Sequence, residues 1–256
     1  MDASTSQPRN ARLKVLLTGA AGRIGRTLLP GFQERYDLLA TDRRPIPGAV
    51  RSEVGDIRDA AFMRRLMAGI DVVVHLAATP SPHAAFLEEL VPNNVIGTWT
   101  VFEAAVAQKV RRIVYASSCQ AMIPPAETDE FPRAIADGDL PRPQTVYGST
   151  KAFGELLGRH YHDRYGIEFV GLRIGWFGPH DARQAGAFRQ NPEALKIFLS
   201  PRDGANLFRC AVEREGVRFA LAFGTSKTGE EFLSLRAARE VLGYEPQDDA
   251  ASMGLA

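Results

Sequence analysis

A tyrosine and a lysine stand four residues apart in the stretch Tyr147-Gly148-Ser149-Thr150-Lys151. On an α-helix, residues at this spacing are neighbours on one face, so the phenol and the ammonium would lie side by side. A free tyrosine has a pKa near 10, too high for an efficient base at neutral pH, and a nearby cation lowers that pKa. The pair therefore indicates an acid/base site for hydride transfer, in which the tyrosine removes a hydroxyl proton. The alternative is an amphipathic tyrosine beside a solvated lysine.

A serine is available to complete such a site. Ser118 follows a predicted strand over residues 112–117, where its hydroxyl could hold the substrate oxygen in line with Tyr147. Together with Lys151, these residues form a predicted catalytic group.

A glycine-rich turn lies near the beginning of the chain. Gly19, Gly22, Arg23, Ile24 and Gly25 follow the first predicted strand and open the first predicted helix. Glycines let the backbone approach a pyrophosphate, whose charge then lies at the positive end of the helix. The spacing G-x-x-G-x-x-G differs from the usual G-x-G-x-x-G. Glycines also end strands for purely structural reasons, so the turn alone leaves both interpretations open.

An acidic residue ends the second predicted strand. Asp42 stands about 20 residues after the turn, where a carboxylate accepts hydrogen bonds from an adenosine ribose and repels a 2′-phosphate. This favours NAD over NADP as the cofactor, although Arg43 and Arg44 could weaken the preference. The alternative is that Asp42 only begins a turn, where aspartate is common.

These residues must be positioned by the elements around them, and the pattern of apolar runs and amphipathic stretches predicts βαβ units. The predicted strands cover residues 14–18, 37–41, 49–54, 72–76, 112–117 and 168–173. The predicted helices cover residues 23–35, 59–67, 87–108, 146–165, 201–214 and 232–242. Residues 123–143 and 175–192 are rich in Pro and Gly and are predicted to be long binding loops.

The predicted fold is α/β, a Rossmann-type doubly wound parallel sheet with a small C-terminal substrate-binding segment. Residues 1–10 are expected to form a flexible arm. Residues 11–175 would form the dinucleotide-binding domain, and residues 176–256 the substrate-binding segment packed on it as a single structural unit.

Composition excludes several classes of protein. The 256 residues carry a net charge of +1, which argues against nucleic-acid binding. Five histidines leave little for a metal site, and His160 and His162 would point to different faces of a helix. Two cysteines far apart suit a reducing compartment. With no apparent signal peptide or membrane span, a cytoplasmic location is expected.

Several motifs in order resemble the extended short-chain dehydrogenases, the NAD-dependent epimerase/dehydratase family. Besides the glycine turn and the tyrosine motif, they are Gly55-Asp56-Ile57, Val74-His75-Leu76-Ala77-Ala78, Asn94-Val95-Ile96-Gly97-Thr98, Tyr115-Ala116-Ser117-Ser118 and Leu242-Gly243-Tyr244-Glu245-Pro246. The resemblance covers nearly the whole chain.

The resemblance implies roles for further residues. Asp56 and Ile57 would flank the adenine, and Asn94 would support the active-site backbone on the cofactor side. Ser118, and not Ser117, aligns with the catalytic serine or threonine. The cofactor path would be lined by Leu76, Ala77, Ala78 and Ile174. Without the resemblance, Asn94 would be interpreted as an amide on a helix surface, and Ser117 as a buried hydroxyl bonded to the backbone.

Within the family, the chain resembles uronate dehydrogenases, which oxidise C1 of a free sugar acid with NAD. The shared features are the short C-terminal part and Leu172-Arg173-Ile174-Gly175. The substrate positions differ, since this chain has Pro80, Cys119, Gln120 and Trp176 where the subgroup has small polar groups. Arg183 or Arg189 is available to bind a carboxylate, although either one reads equally as a solvated loop charge.

The favoured hypothesis is an NAD-dependent oxidoreductase that oxidises a hydroxyl group of a free sugar or sugar acid, at C1. An epimerase of the nucleotide-sugar type that retains NAD is the alternative, followed by a non-catalytic NAD sensor. The resemblance also implies a homodimer or larger homo-oligomer, paired through the predicted helices at residues 87–108 and 146–165. Ala104, Ala105 and Ala107 would permit close approach there, or would pack on the sheet.

Overall fold

Parallel strands form one central sheet in the computed structural model of this chain, which describes residues 12–123, 135–179, 182–229 and 231–255. Its strands are β1 (Lys14–Thr18), β2 (Asp37–Asp42), β3 (Ser52–Val54), β4 (Val72–His75), β5 (Arg112–Ser118), β6 (Glu168–Ile174) and β9 (Phe219–Gly224). Two short strands, β7 (Trp176–Phe177) and β8 (Phe198–Leu199), pair apart from this sheet.

The helices between the strands are α1 (Arg23–Arg35), α2 (Ala60–Leu66), α3 (Gly97–Ala107), α4 (Val146–Tyr165), α5 (Ala182–Arg189), α6 (Pro192–Leu195), α7 (Pro201–Glu213) and α8 (Arg236–Glu240). A π-helix, Phe86–Ile96, leads directly into α3, and a single 3₁₀ turn, Cys119–Ala121, follows β5.

Strand order confirms the Rossmann-type doubly wound sheet predicted from the sequence. The order is β3-β2-β1-β4-β5-β6-β9, and neighbouring strands pair in parallel. The order reverses between β1 and β4, which is where ligands bind in open α/β sheets. Because the strands run parallel, their carboxyl ends lie at one edge of the sheet, beside this crevice.

Helices cover both faces of the sheet because successive strand residues point to opposite sides. Val15 and Leu17 of β1 pack in one core with residues of α1 and α7. Leu16, the residue between them, packs in a second core with residues of α2, α3 and α4. All four residues of β4 are buried, as expected for a central strand covered on both faces.

The structure differs from the predicted elements in several places. The predicted loop at residues 175–192 contains β7 and all of α5, so it is not irregular. The central sheet has one strand that was not predicted. This strand, β9, follows the predicted strands in the chain and pairs with β6. The division of the chain at residue 175 stays a prediction, and the arm at residues 1–10 lies outside the described residues.

One predicted helix is altered by a proline. Residues 87–108 were predicted as a single helix, whereas the structure has the π-helix followed by α3. Pro92 has no N–H and its ring clashes with the preceding turn. The backbone forms hydrogen bonds between residues five apart in place of the usual four, as when the Gly97 N–H donates to Pro92 O. Such wide turns are frequent at functional sites, and this one carries Asn94.

Candidate active site

A cleft of about 1370 Å³ opens at the carboxyl ends of the strands. It brings together most of the predicted site residues, and we call it the active-site cleft. The predicted cofactor residues that line it are Gly19, Gly22, Arg23, Ile24, Gly25, Asp42, Ile57, Leu76, Ala77, Ala78, Tyr147, Lys151 and Ile174. Of the other predicted residues, Pro80, Ser118, Cys119, Gln120 and Trp176 also line it.

The glycine turn connects β1 to α1 along one wall of the cleft. Gly19 has a φ of +71°, and a Cβ there would lie 2.6 Å from the backbone nitrogen of Ala77, so a larger residue would push β1 and the segment after β4 apart. Helix α1 begins at Arg23 with no side-chain cap and no acidic residue in its first turn. Its free N–H groups therefore suit a pyrophosphate.

Asp42 occupies the end of β2 at the same wall. Its carboxylate accepts hydrogen bonds from the backbone N–H groups of Ala21 and Arg44, each at 3.1 Å. The Arg44 guanidinium approaches within 3.7 Å of the same carboxylate. A fixed carboxylate at this place fits the ribose hydroxyls of a dinucleotide, while Arg44 offsets part of its charge.

The beginning of α4 brings Tyr147 into the cleft. The Thr145 hydroxyl caps the helix by accepting the Gly148 N–H at 3.0 Å. At Gly148, a Cβ would lie 2.2 Å from the carbonyl oxygen of Gln120. Only glycine therefore lets α4 pack this closely against the turn that follows β5. That close approach places Tyr147 beside Ser118 and Cys119.

Ser118, Tyr147 and Lys151 lie together, and each is more than nine-tenths buried. The Lys151 ammonium donates a hydrogen bond of 2.8 Å to the carbonyl oxygen of Ala116 and lies 5.8 Å from the centre of the Tyr147 ring. The Ser118 oxygen accepts the Gln120 N–H at 3.2 Å. The structure thus assembles the three predicted catalytic side chains at one point.

The protonation of this group differs from the sequence-based expectation. Burial raises the pKa of Tyr147 above 10, with a further contribution from Cys119, and only the hydrogen bond with Ser118 lowers it. Burial also lowers the pKa of Lys151 to about 7. The expected lowering of the Tyr147 pKa by Lys151 is therefore wrong for the protein without its cofactor. The reason is that burial disfavours charge on both groups.

Asn94 supports the cleft from behind and is not among the residues that line it. It is buried, and its carboxamide accepts the Thr79 N–H at 2.8 Å and donates to Thr79 O at 3.2 Å. It also donates to the Thr150 hydroxyl at 3.0 Å. Asn94 thus ties the backbone after Ala78 to α4, and its interpretation as a helix-surface amide is wrong.

Two further predicted residues have side chains that bind partners within the protein. The Asp56 carboxylate binds the Arg58 guanidinium, with contacts of 2.6 and 3.0 Å, and this pairing lowers the pKa of Asp56. Asp56 is not among the lining residues. Arg189 donates to the carbonyl oxygen of Gly254 at 2.9 Å and is therefore directed away from the cleft. The side chain of Arg183 lies outside the described residues.

The predicted substrate residues Cys119, Gln120 and Trp176 line the same cleft. Gln120 accepts a hydrogen bond from the Thr145 hydroxyl at 3.0 Å. The Gln120 oxygen can only accept, so the Thr145 hydroxyl is the donor, and the Gln120 amide nitrogen has no hydrogen-bond partner within the described ranges and can donate to a ligand. Trp176 is half-buried, with its ring 4.7 Å from that of Phe188. Burial raises the pKa of Cys119 to about 12, so this thiol is uncharged.

A buried ion pair behind Ser118 was missed by the sequence analysis. Glu155 accepts the Ser117 hydroxyl at 2.6 Å and binds the Arg173 guanidinium at 2.9 Å. The bond from Ser117 goes to this carboxylate rather than to backbone, which corrects the earlier interpretation. The signal was present in the sequence, because Tyr147, Lys151 and Glu155 are spaced by four residues and lie on one helix face.

Neither a metal-binding cluster nor a membrane-spanning helix occurs among the described residues. They contain no group of three or more His, Cys, Asp or Glu side chains placed to hold a metal ion. None of the helices in the described ranges combines the length and apolar character needed to cross a bilayer.

The sheet order, the glycine turn and the carboxylate at the end of β2 together define a dinucleotide-binding α/β protein with a tyrosine and lysine pair at the cofactor cleft. The chain belongs to the NAD dependent epimerase/dehydratase family, whose model matches residues 15–196. The family resemblance inferred from the motifs is thereby confirmed.

Two characterised relatives from Haloferax volcanii are similar along most of their length. The chain is 37% identical to an NAD-dependent glucose-6-phosphate dehydrogenase, over 93% of this chain and 94% of the relative. It is 33% identical to an L-arabinose 1-dehydrogenase (NAD(P)+), over 94% of this chain and 98% of the relative. Among solved structures, a mutant uronate dehydrogenase from Agrobacterium tumefaciens complexed with NAD is 27% identical, with a TM-score of 0.81 and coverage of 95% and 88%.

Proposed function

We propose that this chain is an NAD-dependent dehydrogenase that oxidises a hydroxyl group, at C1, of a sugar or sugar acid. The observation that carries the proposal is that Ser118, Tyr147 and Lys151 line the same cleft as the glycine turn and Asp42. The similar proteins named above are dehydrogenases of a sugar phosphate, a free sugar and a uronate, which supports this class of substrate.

The residues of the cleft suit NAD at one end. The N–H groups that open α1 would bind the pyrophosphate, and Asp42 would accept hydrogen bonds from the ribose hydroxyls. Ile57 and Gly55 line the part of the cleft beyond Asp42, where the adenine would lie. The Asp42 carboxylate disfavours a 2′-phosphate, and Arg44 weakens that discrimination. NAD, when bound, supplies the acceptor for a hydride.

The protein supplies proton transfer and orientation. Tyr147 would take the proton of the substrate hydroxyl at its phenolic oxygen, and the electron pair of that O–H bond would form the carbonyl as the carbon loses a hydride. Ser118 would hold the substrate oxygen by a hydrogen bond. Burial opposes the charged forms of both Tyr147 and Lys151, so the positive charge of the oxidised cofactor close to the Tyr147 ring would favour the phenolate, and Lys151 would add to this effect in its protonated form.

The substrate would lie between the catalytic group and Trp176, with Cys119 and Gln120 next to the catalytic group on the same side of the cleft. The free donor of Gln120 suits a ring oxygen or hydroxyl of a sugar, and the Trp176 ring suits the apolar face of a pyranose. Arg183 stays a prediction for binding a carboxylate, because no geometry supports or opposes it.

A direct test follows NADH absorbance with D-glucose 6-phosphate, L-arabinose, D-glucuronate and D-galacturonate. We expect at least one compound to be oxidised and Tyr147→Phe to lower kcat/KM about a thousandfold, the scale of general acid/base catalysis. Tyr165→Phe is the matched control, because Tyr165 is exposed at the other end of the same helix. Turnover that is equal in the two variants would contradict the proposed role of Tyr147.

The epimerase alternative predicts a different result in the same assay. An enzyme that returns the hydride to its substrate would copurify with NAD and would form no net NADH with any free sugar. A non-catalytic sensor would bind NAD without turnover, but it would have no need for the buried arrangement of Ser118, Tyr147 and Lys151.

We also propose a homodimer or larger homo-oligomer that pairs through the π-helix, α3 and α4. Large apolar side chains are exposed there, including Leu87 and Leu156, each about two-thirds exposed. Ala104 and Ala105 are buried, so they pack inward and do not belong to this surface. The cytoplasmic location expected from the cysteine content stays a prediction.

A further inference from the structure

The wall that carries Trp176 rests on a small cluster apart from the two main cores. The ring of Trp176 packs on Phe188 of α5, which packs in turn on Phe198 of β8 with ring centres 5.5 Å apart. Phe188 and Phe198 are fully buried. The cluster consists of Phe188, Ala194, Phe198, Ala250 and Leu255, with Trp176, Ala185 and Leu195 packed against it.

Part of this cluster comes from a segment far along the chain. Ala250 and Leu255 contribute buried side chains, and Leu255 is only 2% exposed. The same segment is bonded to α5, because Arg189 donates to the carbonyl oxygen of Gly254 at 2.9 Å. We call residues 247–255 the C-terminal strap, since two of their side chains belong to the cluster.

The other end of the strap is fixed to the main body. Asp203, fully buried in the first turn of α7, accepts the backbone N–H groups of Gln247 and Asp248, each at 2.9 Å. It also accepts the Ser226 hydroxyl at 2.7 Å, next to the end of β9. The Asp248 carboxylate is in turn held by Ser200 and Arg202. The strap therefore has a firm anchor from which it reaches the cluster.

These contacts form a continuous path from the anchor to the cleft. The backbone of Trp176 is held by its N–H bond to Ile197 O, but its ring depends on Phe188. Phe188 in turn depends on the cluster that contains Leu255. Removing buried methyl groups from such a cluster leaves a cavity that its neighbours fill only in part. The ring of Trp176 would then lose its fixed position.

We propose that the C-terminal strap is a specificity-determining element, which sets the sugar that the cleft accepts by holding the Trp176 wall through the Phe188 cluster. This inference rests on the proposed function, because it takes Trp176 to face the substrate. Trp176 is the substrate-contacting residue, and Leu255 acts through it as a positioning residue.

The first experiment measures the wall itself and needs no substrate. The chain has two tryptophans, so Trp99→Phe leaves Trp176 as the sole indole. In this background Leu255→Ala should raise the acrylamide quenching constant of Trp176 about twofold, as packing around the ring loosens. Met253→Ala is the matched control, because Met253 belongs to the same strap but is 41% exposed. Equal quenching in the two variants would overturn the proposal.

The second experiment compares kcat/KM for the next-best sugar of the panel above with that for the sugar of highest turnover, and Leu255→Ala should reduce the preference for the latter. Leu255→Ala should raise the KM for that sugar about tenfold, while the Kd for NAD stays within about twofold of the parent. An unchanged sugar KM, or equal losses for sugar and NAD, would overturn the proposal. If Leu255→Ala does not fold, Leu255→Val, which removes one methylene, is used with the same criteria.

The two experiments separate this proposal from the proposed function. A Trp99→Phe parent that forms no NADH with any sugar would contradict the proposed function, while the quenching comparison would still decide whether the strap holds the wall. A parent that turns over, with no difference between Leu255→Ala and Met253→Ala, would contradict the strap alone.

Discussion

At the scale of single residues, Lys151 makes the stability of the protein depend on pH. Burial lowers its pKa from 10.5 to about 7, so between these values the unfolded chain binds the proton that the folded chain releases. The unfolded state therefore gains stability as the pH falls through this window, and the contribution of Lys151 to the free energy of unfolding decreases. The folded protein retains this lysine in spite of that cost, as expected for a functional group.

Lys151→Met tests this dependence in the protein without NAD. We expect the variant to lack activity. Its free energy of unfolding, relative to that of the wild type, should increase as the pH is lowered from 10 to 7, because methionine binds no proton in either state. Urea denaturation at both pH values measures the difference. Lys14→Met, at an exposed position at the start of β1, should change the free energy of unfolding by the same amount at both pH values. A pH-independent effect of Lys151→Met would contradict the shifted pKa.

Side-chain identities in the cleft were predictable where a local pattern carried them. Tyr147, Lys151 and the glycine turn depend on short spacings within one element, and they lie where expected. The pKa of Tyr147 was not predictable, because the burial that raises it comes from residues distant in sequence. Asp56 and Arg189 were assigned by position in a motif or loop, whereas their partners, Arg58 and Gly254, decide where their side chains point.

At the scale of elements, α4 is joined to the end of β5 at two successive turns. Lys151 bonds to Ala116 O, and Glu155, one turn later, bonds to the Ser117 hydroxyl. Arg173 of β6 neutralises Glu155, and the pair is almost completely buried. Three elements are thereby held in register directly behind Ser118. A buried pair of this kind need not add stability over apolar residues, but breaking it leaves a buried charge.

Glu155→Ala should therefore lower the free energy of unfolding by about 3–5 kcal/mol, since Arg173 would be left buried without its partner. Arg159→Ala is the matched control on the same helix, because it removes an exposed ion pair with Asp163. That loss should stay within about 1 kcal/mol. Chemical denaturation measures both, and similar losses in the two variants would contradict the structural importance of the buried pair.

Elements were predictable where hydrophobic periodicity was strong, as in β1, α1 and α4, whose bounds match the prediction. The pairing of strands that are joined by long crossover connections was not predictable. Strand β9 lies beside β6 in the sheet although α5, α6 and α7 intervene in the chain, so nothing local indicates its place. The Pro- and Gly-rich residues 175–192 suggested a loop, but apolar side chains such as Trp176 and Phe188 supply enough burial to order short elements there.

At the scale of the whole molecule, the proposed oligomer makes a further prediction. Leu156→Glu should shift the protein to a smaller species in size-exclusion chromatography with light scattering, because a charge would be buried in the proposed interface. Leu140→Glu is the control, since Leu140 is 81% exposed in the segment before α4. A protein that elutes unchanged with Leu156→Glu would contradict pairing through α4.

The connection between β6 and β9 contains Trp176 and Phe188, and it returns the chain to a strand adjacent to the one it left. Replacement of this connection by that of a relative would therefore leave the strands of the sheet and the cofactor residues before it intact. If the C-terminal strap holds Trp176 in place, such a graft should succeed only when residues 247–255 are exchanged with it. Two stretches separated by β9 and α8 would then have to evolve together, and substrate preference would be inherited as a pair of segments.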